Sequence, residues 1–488
     1  MPPAEPFILA IDQGTSATKA ALVNRAGNVV ARASADLPAR HPRRGWVEQS
    51  PAEIWHSLQK SVRACLDGTA ASRLAGLGLS TQRESLLLWD RRTGQALSPL
   101  ISWQDQRTAA MCREYASAAA AVRQNSGLPL DPMFSATKAR WLLDHFDRDR
   151  TRASRGDLCV GTVDAWLLRQ LTGEHQIEVG NASRTQLMDI QTCRWSPQLL
   201  DLFGVPAQAL PDIVSSVGPF GPRLDDGALP VNAPVLAVMG DSHAALFGHA
   251  GWRAGLVKAT YGTGSSVMAA SPGRADQASG LCETIAWQIG AQPARAVEGN
   301  IRSSGATLSW LAQLTSVSPA QLASIAAHAE ADGIHLVPGF NGLGAPWWDS
   351  EATGLLTGLT LGTRLENVAR AALESIAFQV NDLLIAIREA TGEASVVSVD
   401  GGPAANSSLM QLQADLSGIS VLRPETADLS ALGAAHLAGL AAGLWSLEDL
   451  DALPRPHDEF TPAASTTWRD SKVTSWRAAI RRARYQSL

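Results

Sequence analysis

Three short stretches of this 488-residue chain combine glycine with hydroxyl and carboxylate side chains in a way suited to holding phosphate. They are Asp12-Gln13-Gly14-Thr15-Ser16, Gly262-Thr263-Gly264-Ser265-Ser266 and Asp400-Gly401-Gly402. Glycine lets the backbone approach a ligand and adopt positive φ, Thr and Ser donate hydroxyls, and a concave row of N–H groups binds anions. Each stretch alone also reads as an ordinary turn between strands. The pairing changes the balance, because Gly262 follows Gly14 by 248 residues, close to half of the chain. Two similar domains, each offering a small hydroxyl-rich loop to one polyphosphate, are the expectation.

The elements around these loops agree with that placement. Phe7-Ile8-Leu9-Ala10-Ile11 enters the first turn and Ala20-Ala21-Leu22-Val23 leaves it; Gly255 to Thr260 and Val267-Met268-Ala269 flank the second. Ser50-Pro51-Ala52-Glu53 starts a helix running to about Leu66. Leu74–Leu79 reads as a strand with Leu86–Trp89 as its hairpin partner, and Gln106–Leu171 as mostly helical. Val235–Met239 forms a strand that ends at Gly240-Asp241. A capping box at Thr363 and Glu366 opens a helix whose Val368, Ala372, Ile376, Val380 and Leu384 make a core-facing stripe ending near Thr391-Gly392. Val396–Val399, a glycine turn and a helix starting near Asn406 place backbone N–H groups beside a ligand. The hairpin is the only internal repeat visible in the sequence.

Composition narrows the function classes. With 45% hydrophobic and 18% charged residues, a net charge of −5 and a pI near 6.1, the chain is an ordinary globular one with no electrostatic reason to bind nucleic acid or a membrane surface. Its length predicts at least two domains. Five widely spaced cysteines without a C-x-x-C pair read as thiols in a reducing cytoplasm. Met1-Pro2-Pro3-Ala4-Glu5-Pro6 does not read as a secretory signal, and Leu429–Trp445 reads as a buried, closely packed helix rather than a membrane span. There is no G-x-x-x-x-G-K-[ST], H-E-x-x-H or Cys/His cluster.

In order and spacing, the three loops resemble the phosphate and adenosine motifs of the actin-like ATPase fold. Ile11-Asp12-Gln13-Gly14-Thr15, Thr81-Gln82-Arg83-Glu84, Trp103-Gln104, Asp131-Pro132, Phe134-Ser135, Gly161-Thr162-Val163-Asp164, Asn181-Ala182-Ser183-Arg184-Thr185, Gly240-Asp241, Ala244–Gly248 and Tyr261–Gly264 resemble the FGGY carbohydrate kinase family, on its glycerol-using branch. Gly342–Asp349 and Leu373–Ala377 extend the likeness, which runs from about Phe7 to Asp449.

The resemblance implies an α/β fold of two ribonuclease-H-like domains, 1–248 and 249–488, with ATP in the cleft between them. It implies ATP-dependent phosphorylation of a primary hydroxyl of a small polyol, glycerol first, in a cytoplasmic homodimer or homotetramer. Asp241 resembles the general base, and Asp12 the carboxylate near Mg²⁺. Gly14, Thr15, Ser16, Lys19, Gly262 and Thr263 resemble the phosphate-side contacts; Gly305, Gly402 and Asn406 fall where the family holds ribose and adenine. Arg83 and Glu84 resemble the pair that donates to one substrate hydroxyl and accepts from the next, and Trp103 the apolar wall behind the carbon chain. The plainer readings are a capping aspartate, a surface ion pair and a core tryptophan.

At three places the chain leaves the family pattern. Met133 stands at the usual aromatic of Asp-Pro-Tyr-Phe-Ser, Ser242 (followed by His243) at the glutamine after the catalytic aspartate, and Ser266 at the aromatic that follows Gly-Thr-Gly. Met133, Ser242 and Ser266 therefore join the substrate-side set and point to a wider, more polar pocket, for which a tetritol, pentitol or ketopentose is the alternative substrate. His243 reads equally as a substrate contact or a helix-face residue. The 220–234 loop lacks the Gly-Lys-Gly-Gly-Thr-Arg-like stretch with which some members bind a sugar bisphosphate inhibitor. A nucleotide-driven switch without a small-molecule acceptor is the competing class, and Arg83, Glu84, Trp103 and Asp241 argue against it.

Overall fold

The computed structural model describes residues 5–67, 73–221, 229, 233–274 and 279–484. Most of the 220–234 loop, on which the inhibitor reading rests, lies outside them. The chain divides into two compact units. The first holds Met1–Ala250 with Glu283–Arg295 and Asp428–Pro454, and the second holds the remainder. A single cut after residue 248 thus differs from the observed division by these two returning segments.

In the first unit, β1 (Phe7–Gln13) and β2 (Ala17–Val23) form the antiparallel hairpin, and β3 (Val29–Asp36) extends it. The strand β4 (Leu74–Thr81) lies parallel to β1. Helix α1 (Pro51–Cys65) starts as expected, with the Ser50 side chain accepting from the Glu53 N–H. Strand β5 (Leu86–Asp90) departs from expectation: it pairs with β6 (Leu158–Thr162) and with Leu100–Ile101 in a second sheet, not with β4. The cause is local. Glu84 sits at φ 59° and the Ser85 N–H bonds back to the Arg83 carbonyl, which turns the chain out of the first sheet. The 106–171 region is mostly helical as expected, with β6 the strand that interrupts it. Strand β7 (Val235–Gly240) lies parallel to β4 and delivers helix α2 (Asp241–Gly248), giving the order β3-β2-β1-β4-β7.

The returning helix Leu429–Ala441 explains its own membership of this unit. A Cβ on Gly433 would lie 1.8 Å from the Ala244 carbonyl oxygen, and one on Gly78 2.2 Å from that of Ala434. Glycine at both contacts lets the helix touch α2 and β4 backbone to backbone. Among the described residues no helix is long and apolar enough to cross a membrane.

The second unit repeats the plan. Strands β8 (Leu256–Tyr261) and β9 (Ser265–Ser271) are its hairpin, followed by β10 (Pro293–Ile301), β11 (Val396–Asp400) and β12 (Ser420–Pro424), in the order β10-β9-β8-β11-β12. β11 lies parallel to both β8 and β12. The repeat is therefore a whole five-strand topology, of which only the hairpin is visible as sequence. Helix α3 (Gly305–Thr315) follows β10, and α4 (Leu365–Thr391) buries Ala372, Ile376, Val380 and Leu384 before Gly392 ends it at φ 85°. Thr363 and Glu366 form no capping box: the helix starts after Arg364, whose backbone N–H donates to Asn367 Oδ1 at 2.9 Å, and the Thr363 hydroxyl accepts from the Thr360 N–H. Helix α5 (Ser407–Ser417) is capped by Asn406.

Candidate functional site

The β1–β2 turn is held open by its neighbours. The Gly14 N–H bonds to the Ala17 carbonyl at 3.0 Å, the Gln49 amide donates to the Thr15 carbonyl at 2.6 Å, and Gln82 donates to Gln49 at 2.9 Å. The Trp103 indole N–H reaches the Thr15 hydroxyl oxygen at 3.0 Å. That oxygen is thereby used as an acceptor, which leaves the Thr15 proton for a ligand. Ser16 is exposed. Lys19 is bound to Asp428 at 2.6 Å, so a phosphate would share this cation with a carboxylate.

Asp12, on β1, is buried and accepts from Ser80 at 2.8 Å. Burial pushes its carboxyl up to about 6, helped by the nearby charges of Asp241 and Asp428 and opposed by Ser80 and Lys19. A hard oxygen donor in a surplus of negative charge suits Mg²⁺, which takes one or two carboxylates and completes its shell with phosphate oxygens and water. Among the described residues no group of three or more His, Cys, Asp or Glu is arranged to hold a metal ion.

Beyond β7 lies the substrate-side set. Arg83 and Glu84 are 5% and 4% exposed, which excludes the surface ion pair. The Arg83 Nε lies 3.4 Å from Asp241 Oδ1 and 4.0 Å from Glu84 Oε1. Glu84 Oε1 accepts from Arg184 Nε at 2.6 Å, and the Arg184 guanidinium covers the Phe134 ring at 5.1 Å. Asp241 is the first residue of α2, where its Oδ1 accepts from the Ser242 N–H at 2.6 Å, and its side chain is one-third exposed. The N-cap itself is Gly240 with no side-chain cap bond, so the capping reading does not hold, and the same Oδ1 meets Arg83. Ser242 is half-buried, and His243 is fully buried behind Arg83.

Met133 is half-buried, and its carbonyl accepts from Lys138 Nζ at 2.6 Å. Burial pushes the Lys138 ammonium down to about 8, against the pull of Asp105, Glu84 and Asp131. Arg184 and Lys138 are the site residues sequence reasoning missed. Arg184 lay inside a quoted motif, but nothing in its spacing showed that it would meet Glu84.

The second unit places Gly262, Thr263 and Gly305 together. The Gly305 N–H bonds to the Gly262 carbonyl at 2.9 Å, and the Ser304 and Ala306 N–H groups to that of Thr263 at 2.9 and 3.1 Å. The hairpin loop is thus seated on the N-terminus of α3, with the Thr263 side chain exposed. Ser266 turns its hydroxyl to Glu298 at 2.8 Å, where Asn300 also donates. Its polarity therefore answers a buried carboxylate in its own unit. Gly401, at φ 90° with the Tyr261 carbonyl 1.9 Å from its would-be Cβ, is the glycine the turn requires; Gly402 has open space around it. The Asn406 side-chain oxygen is engaged by the Leu409 N–H at 3.1 Å, so this residue caps α5.

Comparisons with known proteins agree with this geometry. Residues 7–248 match the N-terminal domain of the FGGY family of carbohydrate kinases, and 257–442 its C-terminal domain. The chain is 43% identical to a glycerol kinase of Aromatoleum aromaticum over 98% of this chain and 99% of that protein, and 42% identical to one of Rhodospirillum rubrum over the same shares. The crystal structure of Plasmodium falciparum glycerol kinase with ADP superposes with a TM-score of 0.91 at 29% identity, covering 99% of both chains. With both of its halves matched and the likeness extending over nearly its whole length, the chain belongs to the FGGY family of carbohydrate kinases.

Proposed function

We propose that this chain transfers the γ-phosphoryl group of ATP to a primary hydroxyl of glycerol, giving glycerol 3-phosphate and ADP. The observation that carries the reading is the buried Arg83 set between Asp241 and Glu84. A nucleotide switch has no use for a desolvated cation flanked by two carboxylates, whereas a polyol needs donors and acceptors alternating along its hydroxyls.

Asp241 takes the proton of the attacking hydroxyl. Arg83 donates to a second hydroxyl and Glu84, fixed by its bond from Arg184, accepts from it. Trp103, fixed by its bond to Thr15, backs the carbon chain. Gly14, Thr15 and Ser16 in one unit and Gly262 and Thr263 in the other offer backbone and hydroxyl donors to phosphate oxygens. Asp12 would hold Mg²⁺, which supplies charge neutralisation on the transferring phosphate. Glycerol is favoured over a longer polyol because the Ser266 hydroxyl is spent on Glu298 and widens no polar pocket of its own.

Purified protein offered glycerol, tetritols, pentitols and ketopentoses in an ADP-release assay should show its highest kcat/KM with glycerol. A C4 or C5 compound well above glycerol would reject that substrate. Asp241→Asn should lower kcat by about 10²–10⁴, the usual range for a general base, while calorimetric ATP binding is retained; turnover within tenfold of wild type would contradict the assignment.

A further inference from the structure

His243 follows Ser242 on the helix that Asp241 opens, and its surroundings give it a role. It is fully buried on the first turn of α2. Its Nε2 lies 3.3 Å from Arg83 Nη1 and 3.2 Å from the Thr284 hydroxyl. Arginine has no acceptor, so a hydrogen bond between Arg83 and this ring makes Nε2 the acceptor and puts the ring proton on Nδ1. With the Ser183 proton on the Gly180 carbonyl at 2.6 Å, Thr284 donates its proton to the Ser183 oxygen at 2.7 Å, so Thr284 is a close neighbour of Nε2 and the Arg83 N–H is the donor to it. The Ile285 N–H also donates to Ser183, at 3.1 Å. The ring therefore stands against a chain of hydroxyls that ends on backbone. On its other side the Arg83 stem is confined by Gly240, where a Cβ would come within 2.6 Å of Arg83 Cγ and Cδ.

Arg83 thus has the Asp241 and Glu84 carboxylates 3.4 and 4.0 Å from its Nε and His243 3.3 Å from its Nη1. A long cationic side chain loses rotamer freedom when it is immobilised, and a guanidinium aimed beforehand does not lose it on binding substrate. We propose that His243 is a positioning residue for polyol recognition: as an acceptor from Nη1 it aims the Arg83 guanidinium toward the substrate hydroxyls. The inference rests on the phosphotransfer reading above. It gives the segment Glu283–Arg295, which returns to the first unit from the second half of the chain, a role at the site through Thr284.

The test compares His243→Leu, which fills the space without an acceptor, with His243→Gln, whose amide oxygen accepts. KM and kcat are measured for glycerol, propane-1,2-diol, propane-1,3-diol and ATP, with the melting temperature of each variant. His243→Leu should raise the glycerol KM about tenfold with ATP KM within twofold of wild type, and should shrink the preference for glycerol over the two diols. His243→Gln should return the glycerol KM to within about threefold. A His243→Leu variant that melts earlier but keeps the wild-type glycerol KM and diol ratios overturns the positioning role, and so does a His243→Gln variant as impaired as the leucine one. Wild-type protein that phosphorylates no polyol removes the underlying reading instead, and the inference with it.

Discussion

Replacing Arg184 by methionine tests the part of the site that no motif announced. Arg184 is fully buried and holds Glu84 at 2.6 Å, while Arg83 approaches the same oxygen only to 4.0 Å. At an effective dielectric of about 20, opposite unit charges at 2.6 Å attract by roughly 6 kcal/mol and at 4.0 Å by roughly 4. Arg83 therefore keeps much of the attraction when Arg184 is gone. The loss should be about 2 to 3 kcal/mol, at or below the roughly 3 to 5 kcal/mol seen when a buried charge loses its sole partner. Methionine keeps the apolar contact with Phe134, so the change reads charge rather than a cavity. The measurement is a cycle of calorimetric unfolding on wild type, Arg184→Met, Glu84→Gln and the double variant. Removing both charges leaves neither unpaired, so the double variant should be about 2 kcal/mol more stable than the sum of the single losses requires. Glycerol KM should rise in both single variants. Additivity within about 0.5 kcal/mol, the tolerance for independent sites, would refute the claim that Arg184 exists to hold Glu84.

Two further expectations concern other parts of the molecule. A Cβ at Gly264 would stand 2.3 Å from the Ile301 carbonyl oxygen, whereas Gly402 has nothing within 4 Å. Gly264→Ala should therefore lower the melting temperature and raise ATP KM together; Gly402→Ala should leave melting unchanged, so that any rise in its ATP KM reports crowding of the nucleotide alone. Early melting of Gly402→Ala, or none in Gly264→Ala, would count against this geometry. Lys138 provides a pH test. Its folded value of about 8 lies below the ordinary 10.5, so the folded state binds fewer protons in that window and stability rises as pH climbs from 8 to 10.5. At 1.36 kcal/mol per pH unit the gain is at most about 3 kcal/mol. It is lost as pH falls back through 8, and a Lys138→Met variant followed by urea denaturation across that range should lack it. Equal slopes in the two proteins would remove the buried-ammonium account.

What the sequence made legible was what neighbours in the chain decide. The two hairpin loops, the Ser50 cap, the stripe on α4 and the strand ending at Asp241 all follow from residues a few positions apart, where turn chemistry and periodicity act. Contacts set by long-range packing were not legible. Arg184 meets Glu84 across 100 residues, and Glu298 meets Ser266 across 32. The glycines of Leu429–Ala441 announced close packing but not the α2 and β4 backbones they would touch. The wrong partner assigned to β5 came from a single residue: a glutamate at positive φ is uncommon, and composition gives no notice of it.

The departures from the family pattern show why this limit matters for specificity. Read as single letters, serine for an aromatic at 266 and serine for a glutamine at 242 both suggest a wetter pocket. In the structure the Ser266 hydroxyl is already answered by Glu298, and the His243 Nε2 beside Ser242 lies against Arg83 and Thr284. A buried polar side chain is tolerated when a partner satisfies it and is costly otherwise. The substitution and its partner therefore work as pairs, and Glu298 and Thr284 both come from the 283–298 stretch. Exchanging Ser266 alone for the family's aromatic would therefore take a hydrogen bond from the buried Glu298 rather than simply transplant a pocket.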